Sequence, residues 1–439
     1  MSAKEVTIGL DIGTTAVKAV AADADGQVVA RTRIPHQLRV PGPDRFEHDA
    51  DQAWRQGPLT ALQQLGRPDA AALAVTAMVP SLTAVDVEGR PQTLGLLYGD
   101  VRGRAAAGPD SRFLSGEAME FLRWTAGQLP DAHGYWPAAA VANHALAGEP
   151  VIDTATASTM YPLFDGAEWN EKACVEGGVT SDRLPRVAAT GREVGRVLGT
   201  GTVLGTAAVD AMCEQIVGGA DRDGDVLVLC GTTLIVWLTI PEYREVPGLW
   251  TLPHTMPGKY QIGGPSNAGG LFLNWVDRVV APGETDADPR RVPVWTPYLR
   301  GERVPLHDPD RRGMLHGLDL THDGASVRRA AFEASAFTVR RLIEMAGAPT
   351  RRIVATGGGT HVASWMQAIA DATGLPVEVS AVAEGAALGA AFHARMAAGL
   401  ESSITDAARW AGTDRVVEPD AAWVEPTQER YGRFLGLAK

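Results

Sequence analysis

Short apolar runs alternate along the chain with stretches in which apolar residues recur at helical spacing. Residues 72–77 (ALAVTA) form a continuous apolar run that predicts a buried strand, and residues 326–346 have the periodicity of an amphipathic helix. Near the C-terminus, RRIVATGGGTHVASWMQAIADATGLPVEVS (351–380) predicts a strand, a glycine turn, a helix and a second strand. This alternation is typical of an α/β fold.

The first 34 residues share a pattern with the middle of the chain. Residues 6–34 contain two β-rich runs around a turn at 23–26, which predicts a β-hairpin, and they include Gly-Thr-Thr. Residues 225–240 (DVLVLCGTTLIVWLTI) again join two apolar runs through Gly-Thr-Thr. The repeated pattern is either a coincidence, since the tripeptide is short, or evidence of a duplication into two similar domains. We favour duplication, with domains at 1–220 and 221–439.

Composition narrows the class of protein. The chain has 439 residues, 45% of them hydrophobic and 21% charged, which suits two large domains. Its formal net charge of -12 argues against a nucleic-acid partner. Three cysteines without metal-ligand spacing favour a reducing compartment. No signal-peptide pattern and no apolar run long enough for a membrane span is present, so we expect a cytoplasmic protein without a membrane partner.

The residues around the first Gly-Thr-Thr suit a metal-bound phosphate. In GLDIGTTAVK, Asp11 ends a predicted strand, and the turn with Thr14 and Thr15 offers amides and hydroxyls to phosphate oxygens, with Lys18 nearby. A carboxylate beside a phosphate requires a cation between them, so Asp11 is a candidate Mg²⁺ ligand. The alternative is a hairpin with a polar turn.

Two further glycine motifs are candidate nucleotide contacts. The second Gly-Thr-Thr places Gly231, Thr232 and Thr233 after an apolar strand. The run Gly357, Gly358 and Gly359 follows another strand and precedes a helix, so backbone there could approach a ring or a phosphate closely. A tight turn or helix cap would use the same glycines.

The order of these motifs resembles the FGGY family of carbohydrate kinases over nearly the whole chain. The segments GLDIGTTAVK, VDAMCEQIVGG (209–219) and GDVLVLCGTT (224–233) are similar to its two phosphate motifs and its substrate-activating motif. Residues 295–318 (WTPYLRGERVPLHDPDRRGMLHGL) are similar to its P-Y-x-x-G-E-R-x-P-x-x-D-P-x-x-R-G signature. The resemblance implies two actin-like, ribonuclease-H-like α/β domains with a nucleotide and sugar cleft between them.

The same resemblance implies that Asp210 is the general base. A carboxylate within hydrogen-bond reach can accept the proton of a sugar hydroxyl as it attacks the γ-phosphoryl group. Without the resemblance, an Asp before a small-residue helix is more often an N-cap. Glu214 would lie one helical turn beyond Asp210, in a secondary role. The D-A-x-x-E arrangement is similar to that of xylulose kinases in the family.

Acceptor contacts are harder to assign. By position, the resemblance implies Met78 in TAMVPS (76–81), but Val79 and Pro80 replace the family's sugar-contacting histidine or arginine. It also implies Asp100 and Arg102 in LLYGDVRGR (96–104), for which a structural ion pair is the alternative. The chain is short for the family between about 104 and 135, where helices often shape the sugar pocket. Glu302 and Arg303 of the signature are expected to be architectural.

The resulting prediction is an ATP- and Mg²⁺-dependent kinase that phosphorylates a ketose or sugar alcohol, with D-xylulose as the best match. Ribulose, ribitol, erythritol or gluconate would use the same machinery. Two other classes remain open: an actin-like ATP-binding regulator, and a degenerate kinase that only binds sugar. The expected partners are the small-molecule sugar or polyol and ATP, and the resemblance leaves a homodimer open.

Overall fold

The structure, a computed structural model, describes residues 5–42, 44–103, 117–283, 286–382 and 384–438. The chain forms two compact units. The first comprises Met1–Val217 and Glu384–Trp410, and the second comprises Gly218–Ala383 and Ala411–Lys439. The sequence-based division is a single cut near residue 220, whereas the first unit in the structure also takes a segment from the second half of the chain.

Strands occur in both units and are numbered here along the chain. Those of the first unit are β1 (Thr7–Ile12), β2 (Ala16–Ala22), β3 (Val28–Pro35), β4 (Glu47–His48), β5 (Ala72–Ala77), β6 (Ser81–Val85), β7 (Gly95–Leu97), β8 (Gly134–Trp136), β9 (Val151–Asp153), β10 (Arg186–Ala188), β11 (Glu193–Arg196) and β12 (Val203–Thr206). Those of the second unit are β13 (Asp225–Cys230), β14 (Leu234–Ile240), β15 (Trp250–Pro253), β16 (Tyr260–Ser266), β17 (Val294–Thr296), β18 (Met314–His316), β19 (Arg352–Thr356), β20 (Val377–Ser380) and β21 (Thr413–Val417).

Helices lie between and around these strands. They are α1 (Gly57–Leu65), α2 (Glu117–Gln128), α3 (Ala138–Ala147), α4 (Thr154–Ser158), α5 (Glu171–Glu176), α6 (Asp210–Gly218), α7 (Gly270–Val279), α8 (Gly324–Ala346), α9 (Ala363–Thr373), α10 (Gly385–Ala397) and α11 (Ala421–Leu437). A π-helical turn at Asp51–Gln56 precedes α1, and a 3-10 turn at Gly358–His361 precedes α9. None of the helices in the described ranges is both long enough and apolar enough to cross a membrane.

The main sheets of the two units share one topology. In the first unit the strand order is β11-β12-β5-β1-β2-β3, with β1 antiparallel to β2 and parallel to β5. In the second, β20-β19-β13-β14-β16 repeats the order and chain sequence of the five strands β12-β5-β1-β2-β3, with β13 antiparallel to β14 and parallel to β19. The edge strands differ, because β11 precedes β12 in the chain whereas β21 follows β20, and β15 lies at the other edge of the second sheet. The matching topology supports the duplication predicted from the repeated Gly-Thr-Thr.

The N-terminal segment is a three-stranded meander, so the single hairpin predicted from residues 6–34 is wrong in strand count. Besides the turn around Asp23, the chain reverses between β1 and β2, where the Gly13 amide donates to the Ala16 carbonyl at 3.1 Å. The Gly-Thr-Thr turn therefore ends one strand and begins the next. This places it at the carboxyl end of β1, beside the end of β5.

Local predictions elsewhere are confirmed. Strand β5 covers Ala72–Ala77, and α8 covers the predicted helix and begins at Gly324. A capping box between Asp323 and Ser326 starts α8, and Gly347, with a φ of 61°, ends it. Strands β19 and β20 are parallel and joined through α9, as the 351–380 pattern predicts. Of the shortened 104–135 region, residues 104–116 lie outside the described residues.

Helix α10 explains why the first unit is discontinuous. Its small residues pack against β1, where a Cβ on Gly9 would lie 1.8 Å from the Ala387 carbonyl oxygen. Thr7 donates through its hydroxyl to the carbonyl of Ala391 at 2.9 Å on the same face of β1. The alanine and glycine residues of α10 allow this close packing because their side chains are small. The partner of α10 is a strand almost four hundred residues earlier in the chain.

Candidate functional site

Asp11 and Lys18 face each other across β1 and β2 of the first unit. They are register partners, and Lys18 Nζ lies 3.8 Å from Asp11 Oδ2. Asp11 is 5% exposed, and burial raises its pKa, partly offset by the Lys18 ammonium. A carboxylate at the end of an otherwise apolar buried strand is costly unless something compensates its charge. The position therefore favours a cationic partner for Asp11.

The turn Gly13–Thr15, called the first phosphate turn after the motif that it resembles, has carbonyl oxygens in and just before it that accept hydrogen bonds from other segments. The Ile12 carbonyl, just before the turn, accepts from the Met78 amide at 3.2 Å, and the Thr15 carbonyl accepts from the His36 amide at 3.0 Å. A Cβ on Gly13 would come no closer than 3.4 Å to any neighbouring atom. Packing within the protein therefore leaves room for a side chain at residue 13. This is consistent with a glycine retained for the close approach of a ligand.

Asp210 lies close enough to Asp11 for their carboxylates to interact electrostatically. It is the first residue of α6, is partly buried, and accepts a hydrogen bond from the Ala211 amide at 2.8 Å. Burial, followed by the charge of Asp11, raises the pKa of Asp210 to about 7. A carboxyl group with that pKa can both accept and release a proton near neutral pH, as a general base requires.

Glu214 follows Asp210 by one turn of α6, as predicted if the segment is helical. Its charge adds to the rise in the pKa of Asp210, although less than that of Asp11. A Cβ on Gly385, the first residue of α10, would lie 2.7 Å from Glu214 Cγ. The start of α10 therefore packs directly against the acidic face of α6.

The carboxylates of the first unit fit a hydrated Mg²⁺ ion. Within the described ranges, the buried Oδ1 of Asp11 has no hydrogen-bond partner, and no group of three or more His, Cys, Asp or Glu side chains forms a metal cage. Mg²⁺ is commonly held by one or two carboxylates, with waters and substrate phosphates completing its coordination. Asp11, with Asp210 nearby, meets that requirement.

The turn Gly231–Thr233, called the second phosphate turn after the motif that it resembles, also joins two antiparallel strands, although its loop is one residue shorter than the first. The Gly231 amide donates to the Thr233 carbonyl at 3.2 Å between β13 and β14. The start of α7 holds this turn, since the Gly270 amide donates to the Gly231 carbonyl at 2.8 Å. Among the described residues, the buried Thr233 hydroxyl has no hydrogen-bond partner, and it is therefore available to a ligand.

The three glycines after β19 have different environments. A Cβ on Gly357 would lie 3.0 Å from the Cys230 carbonyl oxygen, and one on Gly359 would lie 2.2 Å from the Trp365 ring. Packing therefore requires both of these glycines. Gly358 is exposed, and a Cβ there would meet no atom within 4 Å. The open face of Gly358 is where a nucleotide could lie against the backbone.

The candidate acceptor residues lie near the first phosphate turn. Met78 follows β5 and is 1% exposed. Asp100 is fully buried and accepts from Arg102 in a two-bond ion pair at 2.8 and 2.7 Å, and Arg102 also donates to Glu47 at 2.8 Å. The ion pair weighed as the alternative from the sequence is thus present. Contact of Met78, Asp100 or Arg102 with an acceptor stays a prediction.

Several residues that brace the turns were not identified from the sequence. His48, Trp54 and Tyr98 contact or support the first turn, although they are far from it along the chain. No local pattern around these residues indicates that role. In the second unit, buried Glu302 accepts from the Ser266 hydroxyl and the Asn267 amide at 2.8 Å each. It braces the segment that leads into α7, consistent with the architectural role expected for the signature.

Known protein families and known relatives match most of the chain. The N-terminal domain model of the FGGY family of carbohydrate kinases matches residues 6–106, and the C-terminal domain model matches residues 226–398. The chain is 26% identical over 491 aligned positions to a gluconokinase of Bacillus licheniformis, covering 98% of this chain and 95% of that protein. It is 25% identical over 477 positions to a xylulose kinase of Escherichia coli K12, covering 97% and 98%.

A crystal structure of xylulose kinase from Rhodospirillum rubrum has the same fold, with a TM-score of 0.78, 26% identity and 98% of each chain covered. The predicted fold class, two actin-like α/β units, is thereby confirmed. Family models that together span more than half of the sequence, and relatives that match over nearly its full length, lead to one conclusion. The chain belongs to the FGGY family of carbohydrate kinases.

Proposed function

We propose that the chain transfers the γ-phosphoryl group of MgATP to a hydroxyl of a neutral ketose or sugar alcohol. The observation that carries this proposal is Asp210, whose pKa is raised to about 7 beside the buried carboxylate of Asp11. A base with that pKa suits proton removal from an alcohol during phosphoryl transfer at neutral pH. Membership in a family of carbohydrate kinases supplies the reaction class.

In this mechanism Asp210 accepts the proton of the acceptor hydroxyl as its oxygen bonds to the γ-phosphorus. The bond from the γ-phosphorus to the bridging oxygen breaks, and ADP leaves with that oxygen. Thr14, Thr15 and Lys18 hold phosphate oxygens, and a bound Mg²⁺ would supply positive charge next to Asp11. Asp11 raises the pKa of Asp210 in the ligand-free protein, and a bound cation next to Asp11 would offset that contribution.

We assign nucleotide binding to residues 221–439 and acceptor binding with catalysis to residues 1–220. Gly231, Thr232 and Thr233 would bind phosphate, because the buried Thr233 hydroxyl lacks a partner among the described residues. Gly358, with its open face, would contact the nucleotide, while Gly357 and Gly359 keep the local backbone in place.

For the acceptor, the charges in the first unit favour a neutral molecule. The guanidinium of Arg102 is engaged by two carboxylates, those of Asp100 and Glu47, so this trio carries a net negative charge. An anionic acceptor such as gluconate would gain little binding free energy from Arg102, because its guanidinium is already paired with two carboxylates. We therefore keep D-xylulose as the preferred acceptor, giving D-xylulose 5-phosphate, ahead of gluconate, although relatives of both kinds match the chain.

We also propose that the enzyme works in the cytoplasm, where its cosubstrate ATP is found. The three cysteines, Cys174, Cys213 and Cys230, are free and buried, which suits a reducing compartment. A homodimer stays a prediction.

The direct test is ADP release from MgATP with a panel of acceptors that includes D-xylulose, ribulose, ribitol, erythritol and D-gluconate. We expect one neutral acceptor to stimulate turnover by the parent protein. The Asp210→Asn variant should lose that stimulated turnover by at least about 100-fold, since general base catalysis contributes about 100- to 10,000-fold. Both proteins should still bind MgATP in calorimetry.

A matched control is Asp51→Asn, a partly exposed aspartate of the first unit that is paired with Arg55. It should keep parental turnover. Acceptor-stimulated turnover that survives in Asp210→Asn would exclude Asp210 as the base. Preference for D-gluconate would contradict the charge argument. MgATP binding without turnover on any acceptor would favour an actin-like ATP-binding protein, and failure to bind MgATP would favour a sugar-binding protein.

A further inference from the structure

His48 is fully buried and makes its contacts directly behind the first phosphate turn. Its Nε2 lies 2.8 Å from the carbonyl oxygen of Thr14, and its Nδ1 lies 3.0 Å from Nε1 of Trp54. An indole N–H can only donate, and a carbonyl oxygen can only accept. His48 is therefore the neutral tautomer with its proton on Nε2, and it donates that proton to Thr14.

The surroundings keep His48 in this state. Burial, followed by the neighbouring His36 ring 4.5 Å away, lowers the pKa of His48 to about 4. Trp54 is itself fully buried, and a Cβ on Gly95 of β7 would lie 2.3 Å from its ring. The donor to Nδ1 is therefore held by packing, and it selects the tautomer that can donate to Thr14.

The strand that carries His48 is held on its other side by the Asp100–Arg102 pair. The Phe46 amide donates to Asp100 at 2.6 Å, and Arg102 donates to the side chain of Glu47 at 2.8 Å. Successive side chains of a strand point to opposite faces, so Glu47 reaches Arg102 while His48 reaches Thr14. A second link runs nearby, where the Tyr98 and Thr14 hydroxyls lie 3.0 Å apart.

We propose that His48 is a positioning residue for phosphoryl transfer that fixes the Thr14 carbonyl, and with it the first phosphate turn. Carbonyl oxygens repel phosphate oxygens, so a turn that binds phosphate must keep its carbonyls engaged elsewhere. The carbonyls of Ile12 and Thr15 are held by backbone amides, whereas a side chain holds that of Thr14. Removing that donor takes a hydrogen bond away from the Thr14 carbonyl oxygen and weakens the restraint that keeps it turned away from the phosphate.

This inference rests on the proposed kinase function, but the test separates the two. The variants are His48→Leu, which removes both hydrogen bonds, and His48→Gln, whose amide has one donor group and one acceptor group and can restore both. We expect His48→Leu to lower kcat/KM for MgATP by about 100-fold, the size expected when a reacting group is misplaced by about 1 Å. His48→Gln should recover most of that loss.

A readout without substrate is hydrogen exchange of the backbone amides in a peptide covering residues 10–18. Exchange should be faster in His48→Leu than in the parent and should return toward parental rates in His48→Gln. The control is His144→Leu, a partly buried histidine of the same unit whose ring lies 5.1 Å from that of Trp136. It should change neither exchange in this peptide nor kcat/KM for MgATP.

The proposal is overturned if His48→Leu leaves exchange of this peptide and kcat/KM for MgATP at parental values. It is also overturned if His48→Gln and His48→Leu lose activity equally while the exchange rates of the turn stay parental. If His48→Leu does not fold, Trp54→Phe replaces it. This variant removes the donor to Nδ1 and should speed exchange in the same peptide, and unchanged exchange would overturn the proposal. A parent without acceptor-stimulated turnover would refute the proposed function, while the exchange experiment would still decide the role of His48.

Discussion

Replacing Asp210 by asparagine should stabilise the ligand-free protein at neutral and alkaline pH. Burial and the nearby Asp11 carboxylate raise the pKa of Asp210 from 3.8 to about 7. A carboxyl group with a raised pKa binds its proton more tightly in the folded state, so stability is lost as pH rises from 3.8 through about 7. Asparagine carries no charge at any of these pH values, so the variant avoids that loss.

The size of the effect follows from the pKa change. The difference between 3.8 and about 7 corresponds to a ceiling of about 4 kcal/mol in the free energy of unfolding. Asp210 is only partly buried, and solvent screening reduces the ceiling, so we expect about 1–2 kcal/mol above pH 7. The gain should shrink as pH falls toward 3.8, where the aspartate is also protonated in the unfolded chain.

The assay is calorimetric melting of parent and variant at pH 4.5 and pH 8, without nucleotide or Mg²⁺. For a chain of 439 residues we expect a rise in Tm of about 1 °C for each kcal/mol, larger at pH 8 than at pH 4.5. Asp51→Asn is a control for which we expect Tm to change in the opposite direction, because a hydrogen bond from Arg55 lowers the pKa of Asp51. That carboxylate contributes stability above its unfolded pKa, so its replacement should lower Tm at pH 8.

The reasoning is refuted if Asp210→Asn changes Tm equally at the two pH values, or lowers Tm at pH 8. Either result would mean that the folded protein does not raise the pKa of Asp210. The choice of Asp210 as a base tuned to neutral pH would then lose its physical support.

Two further predictions concern glycines. Gly358→Ala should keep the free energy of unfolding within about 0.5 kcal/mol of the parent value, since its Cβ would meet no atom within 4 Å, but it should raise KM for MgATP. Gly359→Ala should instead lower the free energy of unfolding by about 1–3 kcal/mol, because its Cβ would lie 2.2 Å from a tryptophan ring. Unchanged KM in Gly358→Ala would move the nucleotide away from this backbone. Gly9→Ala should destabilise the protein by at least about 1–3 kcal/mol in urea unfolding, because its Cβ would lie 1.8 Å from a carbonyl oxygen of α10. The exposed Gly127→Ala in α2 should raise stability by up to about 1 kcal/mol, and a loss in both variants would show that the packing of α10 is not the cause.

Much of the local structure follows from the sequence, because its cause is local. The apolar run of 72–77 is a strand, and the 351–380 segment is a strand, helix and strand unit, since periodicity and glycine turns act over a few residues. The repeated Gly-Thr-Thr also indicated the shared topology of the two sheets. The strand count at the N-terminus was wrong because a tight turn inside a continuous β-rich run leaves the hydrophobic pattern almost unchanged.

By itself the sequence determined the family, the α/β elements, the two Gly-Thr-Thr turns and the carboxylates that are candidates for chemistry. The tertiary structure decided which of these residues are neighbours: it joined α10 to β1, brought Asp210 within electrostatic range of Asp11, and placed His48 behind Thr14. Turn and strand preferences depend on adjacent residues, and they can be read along the chain. The pKa of Asp210 and the tautomer of His48 depend on burial and on partners far away in sequence, and these exist only once the chain has folded.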